Sequence, residues 1–215
     1  MEINHAIEEI RKEFESGNLR DELFPMMTKF GVRDYSETVH TLGLNYITAI
    51  GRTIEGVSAV SECPVYPYEE ILYDIVAEAP ISYGESKKEK DAEVRPDSIW
   101  YSKDTNSPIL ISEFERYENN RIKDKKLKEK IQNLLIAYHQ LGGGLPLIVF
   151  VYWSYSAVTA GDISDTISIL DKGFYLPNKK YVPGINSRKT KYLVYHCIAK
   201  GTKENLTLNQ WIKVR

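Results

Sequence analysis

Cysteine is scarce in this chain: Cys63 and Cys197 are the only two. That excludes a disulfide framework and leaves too few thiolates for a structural zinc site. Long apolar runs are also missing. The longest near-continuous one, Leu145 to Trp153, is too short to cross a bilayer, so no membrane partner is expected. Met1 to Ser16 alternates apolar and charged residues and lacks the apolar stretch of a signal peptide, which points to a cytoplasmic location. In that setting the Asn205-Leu206-Thr207 sequon reads as chance. There is no Gly-x-Ser-x-Gly elbow. Gly142 to Gly144 ends a helical pattern rather than opening one, so it is not a phosphate loop. His5, His40, His139 and His196 have no ligand spacing, and each is expected to be an ordinary helix or strand residue.

What remains is an ordinary globular composition, 42% hydrophobic and 27% charged, in 215 residues that suffice for one sizeable core. The formal net charge of −2 conceals an asymmetry. From Lys172 to Arg215 there are ten Lys and Arg against one acid, Glu204, a balance of +9, which leaves −11 for the preceding residues. A basic C-terminal part beside an acidic remainder is compatible with polyanion binding and equally with an uneven, solvated surface.

Periodicity predicts the elements. Ile3, Ile7, Ile10 and Phe14 share one helical face, and Ser16-Gly17-Asn18 ends that helix. A helical piece around Leu19 to Phe30 is interrupted near Pro25, and a longer helix starts at Ser36. Val57 to Tyr66 reads as extended, residues 69–83 fit helix or strand, and residues 84–93 form a charged loop. Asp97 to Tyr101 and Ile109 to Glu115 read as a hairpin around Lys103-Asp104-Thr105-Asn106-Ser107. A helix buried through Leu127, Ile131, Leu134, Leu135, Tyr138 and Leu141 follows, then a strand from Leu147 to Trp153 buried on both faces. A helix over Asp162 to Leu170, a polar loop over Pro177 to Thr190, a strand over Tyr192 to Ala199 and a short edge strand complete the chain. The expected fold is α/β, a central mixed sheet flanked by helices. A single domain over 1–215 comprises a peripheral helical segment (1–30), a core (36–153) and a basic C-terminal part (154–215).

The hairpin concentrates carboxylates. Strand alternation puts Glu113 and Glu115 on one side. A turn centred near Thr105 makes antiparallel partners sum to about 210, which sets Asp97 opposite Glu113. Three neighbouring acids repel one another unless cations compensate, and such oxygen clusters suit magnesium, manganese or calcium.

Arg95-Pro96-Asp97, a strand, a turn, an apolar strand and then Glu113-Phe114-Glu115 resembles the signature of the PD-(D/E)XK, or restriction-endonuclease-like, nuclease superfamily. The following helix and buried strand match its core order. The resemblance covers roughly Val57 to Trp153. Where the usual motif has lysine this chain has Glu115, as in restriction enzymes of the BamHI type. The resemblance implies a Mg²⁺- or Mn²⁺-dependent DNA endonuclease of restriction or repair type, acting on double-stranded DNA. The alternative is an inactive nuclease-like scaffold that binds DNA or protein. It implies Asp97, Glu113 and the Phe114 backbone carbonyl as metal ligands, with Glu62 (or, behind it, Glu37) completing the set. Glu115 would orient or deprotonate water, or hold a second metal, and a cation such as Arg116 would stabilise developing charge.

Further expected DNA contacts are Gln132 on the lysine-rich helix and Lys179, Lys180, Arg188 and Lys189 in the polar loop. The remaining lysines of that helix, Lys125, Lys126, Lys128 and Lys130, read as a solvated face. A homodimer is compatible with cutting two strands. The N-terminal helix could pair subunits or pack on its own core.

Overall fold

The structure, a computed structural model, describes residues 3–35, 37–65, 94–158, 161–177 and 179–215. The expectations for residues 69–83 and 84–93 fall outside these.

A six-stranded mixed sheet organises the molecule, in the order β1-β2-β3-β4-β7-β8. Its strands are β1 (Val57–Ser61), β2 (Ser98–Ser102), β3 (Pro108–Arg116), β4 (Leu147–Tyr155), β7 (Lys191–Thr202) and β8 (Asn205–Lys213). The pairs β1–β2, β2–β3 and β7–β8 are antiparallel, whereas β3–β4 and β4–β7 are parallel. β4 lies between two parallel neighbours, and all its residues from Leu147 to Ser154 are buried. That is why its sequence lacks alternation. β8, expected to be short, runs nine residues along an edge. Val32 bridges it at Leu206.

Helices cover both faces. On one lie α1 (Ile3–Ser16), α2 (Asn18–Leu23), α3 (Pro25–Thr28) and α4 (Thr38–Thr53). Their apolar residues, among them Ile10, Phe14, Met27, Tyr46 and Ile47, pack with Trp100, Phe114, Val149, Val151 and Trp211 of the sheet. Pro25 separates α2 from α3 by starting the latter, where its missing N–H costs nothing. Gly43 and Gly51 of α4 allow close approach, since a Cβ there would collide with Phe114 and with Trp100 and Ala59.

The other face carries α5 (Arg121–Gln140), α6 (Ser164–Ile167) and α7 (Ile169–Lys172). Asn120 caps α5 by accepting a hydrogen bond from the Lys123 N–H at 3.0 Å. Leu127, Ile131, Leu134, Leu135 and Tyr138 bury its inner stripe against Ile111, Ile148 and Phe150. The helix expected over Asp162 to Leu170 is two short pieces. The polar loop over Pro177 to Thr190 contains a strand, because β5 (Phe174–Tyr175) and β6 (Tyr181–Val182) form a small antiparallel hairpin. Phe174, Leu176 and Val182 root this hairpin in the α5 core. Among the described residues, no helix is long and apolar enough to cross a membrane.

Candidate active site

The β2–β3 register is Ser98↔Ser112, Ile99↔Ile111 and Trp100↔Leu110, with an irregularity beyond Trp100. Continuing it backwards sets Asp97 against Glu113 and Pro96 against Phe114. Pairing stops there for a covalent reason: Pro96 has no N–H to offer the Phe114 carbonyl. Both backbone groups of Phe114 are satisfied by side chains instead. Its N–H donates to Asp97 Oδ2 at 2.6 Å. Its carbonyl oxygen lies 2.7 Å from His40 Nδ1, on α4. The same imidazole places Nε2 3.3 Å from Asp97 Oδ1.

Glu113 and Glu115 project toward α5 and, like Asp97, are buried. Two ammonium groups reach them from that helix. Lys130 Nζ donates to Glu113 Oε2 at 2.8 Å, and Lys126 Nζ lies 3.0 Å from Glu115 Oε1. Lys126 and Lys130 are four residues apart and flank the buried stripe of Leu127 and Ile131, so one helical edge delivers both. The expectation of a wholly solvated lysine face is therefore corrected for these two. Lys125 and Lys128 are exposed, and Lys125 pairs with Glu129.

Burial and the charge of Asp97 push the Glu113 carboxyl up to about 8, against the opposing effect of Lys130. Burial lowers the affinity of His40 for its proton, but the hydrogen bond and charge of Asp97 outweigh this and raise it to about 9. Lys130, despite its burial, is held strongly protonated by Glu113 and Asp97. Three carboxylates thus face Lys126, Lys130 and a protonated His40.

The other expected site residues are more scattered. Arg116 points to the opposite face from Glu113 and Glu115. It pairs with Asp34 at 3.0 Å and Glu118 at 2.7 Å, with its guanidinium 5.0 Å from the Trp153 ring centre. Glu62 is next to the cluster through its backbone, whose N–H donates to the Asp97 carbonyl at 3.1 Å, while the residue itself is exposed. Glu37 is exposed just before α4. Gln132 is half-buried beyond Lys130 on α5. Lys179, Lys180, Arg188 and Lys189 are exposed on and after the β5–β6 hairpin, away from the carboxylates.

His40, Lys126 and Lys130 are the residues that sequence reasoning missed. The positions of Lys126 and Lys130 beside the apolar stripe gave only a partial signal, since the pattern does not say which helical edge faces the carboxylates. His40 carried none, because α4 approaches the Asp97-Phe114 gap only through the tertiary fold.

The donor set is chemically suited to a hard divalent cation. Asp97 Oδ1 and the Phe114 carbonyl both contact the His40 ring, through Nε2 and Nδ1 respectively. Glu115 Oε2 is buried without a hydrogen-bond partner. Among the described residues, no group of three or more His, Cys, Asp or Glu side chains is arranged to hold a metal ion, and His40 occupies the Asp97 and Phe114 oxygens. No family model, no curated protein and no solved structure matches the chain.

Proposed function

We propose that the protein is a metal-dependent endonuclease hydrolysing phosphodiester bonds in double-stranded DNA, on a restriction-endonuclease-like core. The observation that carries this reading is the interrupted β2–β3 ladder. It gathers Asp97, Glu113 and the Phe114 carbonyl beside two lysines of the following helix.

Asp97, Glu113 and the Phe114 carbonyl would hold Mg²⁺ or Mn²⁺, with Glu62, whose N–H bonds the Asp97 carbonyl, as the further candidate ligand. When bound, such a metal polarises a phosphodiester and lowers the pKa of water. The protein supplies the rest. Lys126 presents a positive charge beside Glu115, the residue that replaces the motif's usual lysine, and Lys130 stays protonated beside Glu113. Glu115, fixed through one oxygen by Lys126, keeps Oε2 available to accept a proton from water. The two ammonium groups of Lys126 and Lys130 would take over the charge-stabilising role expected of Arg116, which Asp34 and Glu118 engage elsewhere.

Plasmid DNA incubated with the protein and Mg²⁺ or Mn²⁺ tests the reading. Cleavage is expected, and Asp97→Asn and Glu113→Gln should each reduce it by at least about a hundredfold. Cleavage that survives in both variants would overturn the site. The compensation of all three acids by Lys126, Lys130 and His40 favours a second reading, a metal-free scaffold. DNA binding without cleavage would support that one.

A further inference from the structure

The β5–β6 hairpin exposes two aromatic rings on a rigid base. Tyr175 is 71% exposed and Tyr181 47%, with ring centres 5.1 Å apart and planes at 46°. Isolated surface tyrosines need no explanation, but this pair is held in place from several directions. Phe174, Leu176 and Val182 are buried beneath it. The Tyr181 hydroxyl donates to the Lys172 carbonyl. His139 Nε2 lies 2.7 Å from the Pro183 carbonyl. Gly173 is at φ 74°, and a Cβ there would collide with the Val182 carbonyl.

The surrounding charge is of one sign. Residues 172–191 contain six Lys and Arg and no acid. The neighbouring Asp171 carboxylate is engaged by Arg215 at 3.0 Å and by the Tyr192 hydroxyl at 2.8 Å. Rigid exposed rings within a cationic surface complement one ligand chemistry well: unpaired bases joined by phosphates. Duplex DNA hides its base faces in the stack and would use only the cations.

We propose that the β5–β6 hairpin is a docking platform for single-stranded nucleic acid, with Tyr175 and Tyr181 stacking bases and Lys179, Lys180, Arg188 and Lys189 contacting phosphates. It lies on the same face of the sheet as the carboxylates. Lys130 and His139, which mark the two places along α5, are separated by about 14 Å of helix. The proposal deepens the nuclease reading by giving the substrate an unpaired segment next to the duplex that is cut. It rests on that reading for this consequence alone.

Fluorescence anisotropy with a labelled oligo-dT of about 20 nucleotides, in EDTA, tests it on the full chain. Tyr175→Ala and the double variant Tyr175→Ala/Tyr181→Ala should weaken binding by roughly tenfold or more, with the same oligonucleotide in duplex form affected less than about twofold. Tyr181→Phe, which keeps the ring and loses the hydroxyl, should bind like wild type. Tyr175 makes no described hydrogen bond, so Tyr175→Ala remains a clean test if the double variant folds poorly. Oligo-dT affinity unchanged in Tyr175→Ala, or equal losses for both strand states, overturns the platform. Asp97→Asn should bind oligo-dT normally. Normal binding without plasmid cleavage removes the nuclease reading and leaves the platform, whereas cleavage with unaltered variant binding does the reverse.

Discussion

Among the described residues, charge is buried on both faces of the sheet, and two of these places do so differently. On the α1–α4 face, Arg20 is only 4% exposed and has a single hydrogen bond through Nη2, to the Asn209 carbonyl at 3.2 Å. Its guanidinium lies 5.7 and 5.6 Å from the ring centres of Tyr46 and Trp211. The nearby Glu13 carboxylate is occupied with the Tyr46 hydroxyl and the N–H groups of Leu19 and Arg20. One cation among aromatic faces is a packing solution, and it leaves Nε and Nη1 buried without a hydrogen-bond partner. On the α5 face, three carboxylates are drawn together and then matched by cations from two separate helices. An arrangement that must be compensated from so many directions is costly to maintain for stability alone, which makes it the place to look for chemistry.

The sharpest way to break the comparison is to remove one cation from each side. At pH 9, where Glu113 is ionised, Lys130→Met strands it beside Asp97 and should cost about 3–5 kcal/mol in metal-free urea unfolding. Lys130→Met/Glu113→Gln should regain much of that loss, because the stranded charge is gone. Arg20→Met should cost no more than about 2 kcal/mol, since no carboxylate is left unpaired. Equal losses at the two positions would mean that the carboxylate cluster is no more strained than ordinary core.

Divalent cation should act on one face only. Mn²⁺ at a hundred times its dissociation constant should stabilise the wild type by about 2.7 kcal/mol at pH 8, read as a rise in Tm. Asp97→Asn should lose that rise while Arg20→Met keeps it.

The pH dependence has a definite sign. His40 is raised from 6.5 to about 9 on folding, so its contribution is complete below pH 6.5 and disappears as the pH climbs through 9. Glu113, raised from 4.5 to about 8, adds to the same trend, since its neutral form is the one the fold favours. Metal-free protein should therefore lose on the order of 1–3 kcal/mol between pH 6.5 and 9, with allowance for the partial exposure of His40. His40→Ala should flatten the upper part of that decline in unfolding curves. Smallest of all, Lys128→Ala on the exposed side of α5 should change stability by less than about 0.5 kcal/mol.

Much of the frame could be read from local pattern. The turn residues around Thr105 set the hairpin register, the stripe from Leu127 to Tyr138 marked α5, and the uninterrupted apolar run marked β4. Strand parity placed Glu113 and Glu115 together. The same parity puts Arg116 with Phe114, a consequence that the charge of Arg116 obscured. The identity of the compensating cations was not legible in this way. His40 arrives from an element 57 residues before Asp97, and Lys130 is one of several lysines whose distinction depends on which helical edge faces the sheet. The hairpin over Phe174 to Val182 was hidden for the opposite reason: two-residue strands carry no period.

Pro96 gives the cluster a property that side chains alone would not. It acts as a stop on a zip, because the residue that ends pairing is the one with no hydrogen to give. Moving that stop one pleat either way would carry the opening past a different carbonyl and leave Asp97 and His40 facing a closed seam. The location of the acidic site is in that sense written into the backbone, and a Pro96→Ala variant would ask whether the seam then closes over Phe114.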